Sequence, residues 1–192
     1  HYLKGIVDGD LEIIKGLHFK PLLGYQFSIN QSKNYLKDLQ YYDWTTGTPS
    51  LYQGPNSLTD YNDFTSVVTL QGWFQYDKKW GDHALSILAG YSQEYTDFSD
   101  LRGYRKGFLN NSLSELNAGP VAGQQATGSA YEIALQSFFG RINYDFKNKY
   151  LLEANIREDG SSRFAGNNRW GVYPSFSAGW RVSQEDFFDP VR

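Results

Sequence analysis

The sequence predicts an all-β fold, arranged as an antiparallel up-and-down meander. Apolar and polar side chains alternate with a period of two over most of the 192 residues, which is typical of strands with one apolar face. The alternating segments are longer than the roughly 5–6 residues usual for strands in soluble proteins. The connections between them alternate between short and long along the chain.

Each predicted strand is identified by its alternation. In residues 17–30 the odd positions are almost all apolar, from Leu17 to Ile29, and the even positions are mostly polar. In residues 131–146 the alternation changes phase near Phe138, which predicts a β-bulge there. The predicted strands are residues 2–14, 17–30, 64–77, 84–95, 131–146, 150–157 and 170–183.

The connections favour a membrane barrel over a soluble sheet. Short turns at one end of the strands and long loops at the other are typical of outer-membrane β-barrels, whereas soluble domains seldom carry several long loops. The short connections are residues 15–16, 77–82 and 147–149, and the long polar ones are residues 31–63, 97–130 and 158–169.

The spacing of aromatic rings supports the same interpretation. Trp170 and Trp180 share one face of a predicted strand and lie ten residues apart. That spacing is about 33 Å along a strand at ~3.3 Å per residue, or about 25 Å of height at a roughly 40° tilt, which matches the apolar band of membrane barrels. We therefore expect part of a large transmembrane β-barrel, about six to seven strands, with apolar faces such as that of Val172 and Phe176 toward lipid.

Composition and motifs exclude several functional classes. The chain has no cysteine, which excludes disulfides and thiolate metal sites, and its net charge of −3 provides no basic field for nucleic acid. The three histidines are scattered, and no nucleophile elbow or phosphate-binding loop is present. The acidic pair Glu185 and Asp186 is interpreted as a solvated turn. We therefore expect no catalytic residue, metal site or cofactor, and a protein that is not an enzyme.

One predicted loop, residues 31–63, is dense in aromatic rings interleaved with Asn, Gln, Thr and Asp. Rings offer flat faces to sugars or peptide side chains, and amides and carboxylates can bind hydroxyl groups. Packing of loop against loop is the structural alternative for any one of these rings. The candidate ligand-binding residues are Tyr41, Tyr42, Trp44 and Tyr52.

Residues 139–188 carry a specific pattern of strand, Gly-Ser loop and Trp-flanked strand. After the segment Tyr150-Leu151-Leu152-Glu153-Ala154, the chain reads Asp159-Gly160-Ser161-Ser162-Arg163-Phe164 and then Asn167-Asn168-Arg169-Trp170-Gly171-Val172-Tyr173-Pro174-Ser175, followed by Ser177-Ala178-Gly179-Trp180-Arg181-Val182-Ser183. This segment resembles the SusC/RagA family of TonB-dependent outer-membrane transporters of the Bacteroidota.

Several residues of this motif have a structural explanation. Asp159-Gly160 predicts a turn, and Arg157, Arg163 and Arg169 could tie the loop to carboxylates. The motif residues with expected structural roles are Asp159, Gly160, Ser161, Ser162, Arg163, Asn168, Arg169, Trp170 and Trp180.

The resemblance implies that residues 1–192 form part of a transporter barrel of about 22 strands, without the plug and the remaining strands. It also implies an outer-membrane location in contact with lipid, and energy from the TonB complex through other parts of the protein. A SusD-like surface lipoprotein would be the partner in taking up oligosaccharides or peptides. The alternative from the residues alone is a soluble secreted glycan-binding β-sheet module; a secreted β-rich enzyme is less favoured because no catalytic constellation is present.

Overall fold

The computed structural model describes residues 1–191, which contain ten β-strands joined by turns, loops and short 3₁₀ segments. Within these residues, no helix has the length and apolar character needed to cross a membrane. The strands are β1 (Tyr2–Asp8), β2 (Leu11–Ile14), β3 (Leu17–Leu36), β4 (Leu39–Tyr42), β5 (Pro49–Gln53), β6 (Ser57–Trp80), β7 (His83–Lys106), β8 (Gln125–Phe146), β9 (Tyr150–Ser161) and β10 (Trp170–Trp180).

Eight of these strands form one sheet in the order β1-β3-β6-β7-β8-β9-β10, with β2 also paired to β3. β4 and β5 form a separate two-stranded sheet, inserted between β3 and β6. From β3 onward, apart from this insertion, strands that follow one another in the chain are neighbours in the sheet, whereas β1 and β2 both pair with β3. The predicted all-β meander is therefore confirmed.

The chain divides into two compact units. The first unit consists of His1–Leu3, Phe27–Ser66 and Asp97–Tyr131. The second unit consists of Lys4–Gln26, Val67–Thr96 and the remainder from Glu132. The long strands β3, β6, β7 and β8 contribute residues to both units.

Several strands are longer than the alternation predicted. β6 and β7 each span 24 residues, so much of the predicted loops 31–63 and 97–130 is strand. An antiparallel ladder pairs the backbone N–H and C=O groups whatever the side chains are. A strand can therefore continue where both of its faces are polar and the alternation ends. For the same reason the predicted connection 77–82 is reduced to a turn at Gly81 and Asp82.

The predicted strand at residues 2–14 is two strands, because Gly9 and Asp10 interrupt it. Gly9 N donates to Pro21 O at 3.1 Å, but proline has no N–H to donate in return, so the ladder is incomplete there. β2 then pairs with β3 through a register shift between Glu12 and Ile14.

The bulge predicted near Phe138 is not present in the β8–β9 pair. The register runs without a shift from Leu135↔Ser161 to Phe146↔Tyr150. Along β8 the large apolar residues mainly occupy odd positions before Ser137 and even positions after it.

In the second unit, the register of β8, β9 and β10 assigns the two faces of the sheet. Phe176 pairs with Ala154, and Ala154 pairs with Ile142, so the three lie side by side on one face. The next row, Ser177, Glu153 and Asn143, lies on the other face. We call the first the apolar face; its large side chains are exposed, and they are Ile142, Leu152, Ile156, Val172 and Phe176.

Aromatic rings lie toward both ends of the apolar face. Phe138 lies between Tyr91 and Trp170, with ring centroids 5.1 and 6.0 Å away. At the other end Phe146 lies between His83 and Tyr150, at 4.8 and 6.3 Å. Such paired groups of rings are typical of the two interfaces of a membrane barrel.

Candidate functional site

The four candidate ligand-binding rings lie on one β-hairpin of the first unit. Tyr41 and Tyr42 belong to β4, Tyr52 belongs to β5, and Trp44 lies in the connection between them. All four side chains are exposed, and Trp44 retains 93% of its surface. We call residues 39–53 the ring hairpin.

The ring hairpin presents its rings in three directions. Tyr41 and Tyr42 are consecutive in a strand and therefore point to opposite faces. Tyr52 pairs with Gln40, which places it on the face of Gln40 and Tyr42. The structure thus brings Tyr42 and Tyr52 to one face, while Tyr41 lies on the other and Trp44 is at the tip. The result is an exposed surface for stacking rather than an enclosed cavity.

The tip of the ring hairpin is organised by Asp43. Its Oδ1 accepts hydrogen bonds from the Thr45 hydroxyl, from the backbone N of Thr45 and Thr46 at 2.8 and 2.9 Å, and from the Thr46 hydroxyl at 3.1 Å. These bonds lower the pKa of Asp43 to about 2, the Thr45 hydroxyl having the largest effect. Asp43 was not among the predicted site residues, although an Asp followed by Thr and Gly is a recognisable turn signal.

In the second unit, the motif residues Asp159 and Gly160 lie inside β9, so the turn predicted at this pair is wrong. Gly160 pairs with Trp170 across the β9–β10 ladder. A Cβ at Gly160 would lie 2.9 Å from atoms of the Trp170 ring, which packs over this glycine. The glycine therefore serves the packing of Trp170, and the actual connection runs from Ser162 to Arg169.

Arg157 joins Asp159 to the neighbouring strand on the polar face of the sheet. Its Nε donates to the two carboxylate oxygens of Asp159 at 2.7 and 3.0 Å, and its Nη2 donates to Ser137 Oγ at 2.9 Å. The guanidinium also lies over the Phe139 ring, 5.9 Å from its centroid. This ion pair is half-exposed and contributes about 0–1 kcal/mol to stability.

The connection between β9 and β10 is closed by bonds to backbone groups. Ser161 N donates to Arg169 O at 3.0 Å, and Arg169 Nε donates to Phe164 O at 3.0 Å. Arg163 N donates to Ser161 Oγ at 3.3 Å, and Ser162 exchanges two bonds with Ala134 of β8, at 2.9 Å each. Arg169 thus binds a carbonyl rather than the carboxylate that was expected. Asn168 ends a 3₁₀ segment, Gly166–Asn168, in this connection.

Trp180, the last motif residue, ends β10 and binds Glu185. Glu185 accepts hydrogen bonds from Tyr150 Oη at 2.8 Å, Trp180 Nε1 at 3.0 Å and Lys149 Nζ at 3.1 Å. Its side chain is only 15% exposed, so the interpretation of Glu185 as a solvated turn residue is wrong. The adjacent Asp186 is fully exposed. No signal within the short sequence around Glu185 reveals partners that lie 35 and 36 residues earlier.

Comparison with known proteins identifies the family. No family model matches the chain. The chain is 33% identical to TonB-dependent receptor P39 of Formosa agariphila over 92% of its own length, and 30% identical to TonB-dependent receptor SusC of Bacteroides thetaiotaomicron over 95%. The chain belongs to the SusC/RagA family of TonB-dependent receptors. It spans only 16% and 18% of the length of those two receptors, so it corresponds to one segment of them.

Solved structures show the same fold for this receptor segment. The RagAB peptide transporter superposes with a TM-score of 0.83 and 22% identity, over 97% of this chain and 20% of that chain. The RagAB peptide importer in the closed-closed state gives a TM-score of 0.82, again over 97% of this chain and 20% of that chain. The expected barrel-segment fold is therefore confirmed. The relatives are named as receptors, which agrees with the expectation that the chain is not an enzyme.

The bonds around Glu185 predict a pH response of the receptor segment. Hydrogen bonds, the largest effect coming from Trp180, lower the pKa of Glu185 from the usual 4.5 to about 2. A carboxyl group with a lowered pKa stabilises the fold fully above its unfolded pKa and loses that contribution as the pH falls through its folded pKa. The attachment of Glu185 to Trp180 should therefore be complete above about pH 4.5 and be lost toward pH 2.

This response can be measured by ¹⁹F NMR of 5-fluorotryptophan at position 180. The resonance of Trp180 should titrate with a midpoint near pH 2 in the wild type. In Glu185→Gln the same transition should be absent, and in the control Asp186→Asn it should be retained. A midpoint between pH 5 and 7 that disappears in Glu185→Gln would contradict the assignment.

Proposed function

We propose that the chain is part of an outer-membrane importer, which takes up oligosaccharides or peptides together with a SusD-like surface lipoprotein and draws energy from the TonB complex. The observation that carries this proposal is the exposed apolar face of the second unit, with rings at both ends. A soluble glycan-binding module would leave Ile156, Val172 and Phe176 in water, at a cost of about 25 cal/mol per Å² of apolar surface. In a bilayer, exposure of the same apolar face to the lipid chains is favourable.

The ring hairpin is the part of the chain that we assign to ligand binding. Tyr42, Tyr52 and Trp44 are exposed and supported by an ordered tip. Rigid rings lose little conformational entropy on binding, which is why tyrosine and tryptophan are frequent at recognition sites. Sugars and peptides both stack on such rings. One relative of similar structure, RagAB, is a peptide importer, which supports the peptide alternative in this family.

Removing single rings from the full receptor tests ligand binding by the hairpin. We expect Trp44→Ala and Tyr52→Ala each to weaken binding about fivefold or more, because truncation of a recognition ring costs more than about 1 kcal/mol. The measurement is retention of maltoheptaose and of a tryptic digest of casein by the purified receptor and its partner. Phe187→Ala, which removes an exposed ring outside the hairpin, is the matched control and should bind like the wild type. If Trp44→Ala and Tyr52→Ala retain both probes as well as Phe187→Ala and the wild type do, the hairpin is not a ligand site.

The partner and the ligand class can be determined on the native complex. The full receptor should be extracted from outer membranes with mild detergent, and the bound compounds should be released by denaturation and identified by mass spectrometry. A co-purifying lipoprotein together with oligosaccharides or peptides is the expected result. A receptor that is found in the soluble fraction, or that releases neither class of compound, would contradict the proposal.

A further inference from the structure

Asn111 lies at the neck of the ring hairpin. The neck consists of Asp38, immediately before β4, and Asn56, immediately before β6. Asn111 Nδ2 donates to Asp38 O at 2.8 Å, and its Oδ1 accepts from Asp38 N at 3.1 Å. The same Oδ1 accepts from Asn56 Nδ2 at 3.3 Å. One side-chain amide therefore holds both segments of chain that lead into and out of the hairpin.

The neck is also joined to the connection between β7 and β8, residues 107–124, which we call the second loop. Asn56 is only 1% exposed; its Nδ2 donates to Phe108 O at 3.1 Å, and its carbonyl accepts from Gly107 N at 2.8 Å. Phe108 itself is buried. The buried Nδ2 of Asn56 is satisfied by Phe108 O and Asn111 Oδ1, whereas its Oδ1 is buried with no partner among the described residues. A buried donor is costly without a hydrogen bond, so the contacts of Nδ2 favour one arrangement of neck and second loop.

The ring hairpin has few other means of keeping its orientation. Nearly all of its residues are exposed, with Asp43 the one half-buried side chain. An isolated two-stranded hairpin is marginally stable in water. The Tyr52 hydroxyl, which donates to Asp38 Oδ2 at 3.4 Å, returns to the same neck. The orientation of the rings therefore depends on the neck more than on packing of the hairpin itself.

We propose that Asn111 is a positioning residue for ligand recognition, because it fixes the ring hairpin to the second loop so that the two act as one preorganised surface. The inference rests on the proposed ligand binding by the rings. A hairpin that is already ordered binds more tightly, since less conformational entropy is lost on binding. Asn111 acts here through Asp38 and Asn56 rather than by stacking on the ligand.

The test compares three variants of the full receptor in complex with its partner. Asn111→Ala removes all three bonds of the side chain. Asn111→Asp has nearly the same shape, but its carboxylate cannot donate to Asp38 O, so it tests the same contact if the alanine variant folds poorly. Asn110→Ala is the control. The Asn110 side chain accepts a bond from Ser112 N and, among the residues that the structure describes, none from Asp38 or Asn56.

Hydrogen exchange reports whether Asn111 holds the hairpin. We expect the amides of residues 39–53 to exchange about tenfold faster in both variants. Asn111→Ala loses three bonds of modest net strength, and Asn111→Asp loses the bond to Asp38 O and places a carboxylate against that carbonyl oxygen. The control should exchange like the wild type. Unchanged exchange in both Asn111 variants would overturn the proposal.

Binding then separates positioning from a purely local structural role. The probes are maltoheptaose and a tryptic digest of casein, one for each proposed ligand class. We expect retention of the bound probe to fall about tenfold in both Asn111 variants and to be unchanged in Asn110→Ala. Faster exchange with unchanged affinity would overturn the positioning role. Normal binding by Trp44→Ala and Tyr52→Ala would instead refute ligand binding by the rings, and the exchange result would still decide whether Asn111 holds the hairpin.

Discussion

A receptor carrying Phe176→Arg will be less stable in a bilayer than the wild type by about 2–4 kcal/mol, the cost of a cation near the midplane on the lipid side of a barrel. Phe176 lies between Trp170 and Trp180 on the apolar face, and the residue is 81% exposed. No polar partner is expected in the lipid for the guanidinium. The free energy of unfolding can be measured by urea titration of the receptor refolded into phospholipid vesicles.

Ser177→Arg is the matched control for this prediction. Ser177 is the next residue in β10 and lies on the polar face, in the row that contains Glu153 and Asn143. An arginine there remains in a polar environment, so we expect a change within about 0.5 kcal/mol, as for ordinary surface substitutions. Similar losses in both variants would show that the two faces are not separated into lipid and water.

Gly90→Ala is expected to destabilise the receptor by about 1–3 kcal/mol, the usual range for overpacking. A Cβ at Gly90 would lie 2.5 Å from Trp73 Cβ and 2.6 Å from Phe139 Cζ. The Phe139 ring could rotate away, but Trp73 Cβ is attached directly to the backbone of β6. The new methyl group therefore has to shift a strand. The measurement is again the urea midpoint in vesicles.

Gly5→Ala provides the comparison for Gly90→Ala. Gly5 also lies in a strand of the second unit, and a Cβ there would have no neighbour within 4 Å. Alanine reduces the freedom of the unfolded chain at either position, so only the contacts differ. We expect Gly5→Ala to be neutral or slightly stabilising. A loss at Gly5 equal to that at Gly90 would show that strand conformation, rather than crowding, explains the result.

The main features of the second unit could be predicted from the sequence because they are local. The alternation in β10 placed Val172 and Phe176 on one face, and the register with β9 confirms that face. The alternation did not reveal where strands end, since β6 and β7 continue through polar segments. At Phe138 the alternation predicted a bulge, and the β8–β9 register shows none.

The candidate site was predicted less completely. Sequence composition selected Tyr41, Tyr42, Trp44 and Tyr52, and the structure places all four on one hairpin. It did not indicate Asn111, because a bond between residues 73 positions apart leaves no periodic signal in the chain.

The sequence by itself determined an all-β meander, its apolar and polar faces, and the family pattern between Asp159 and Trp180. Alternation and ring spacing report the solvent on each side of a strand, and that information is carried by neighbouring residues. Tertiary structure alone decided that Gly160 lies beneath Trp170, that Glu185 closes the end of β10, and that Asn111 holds the ring hairpin. These contacts join residues distant in sequence, and their geometry exists only once the strands are paired.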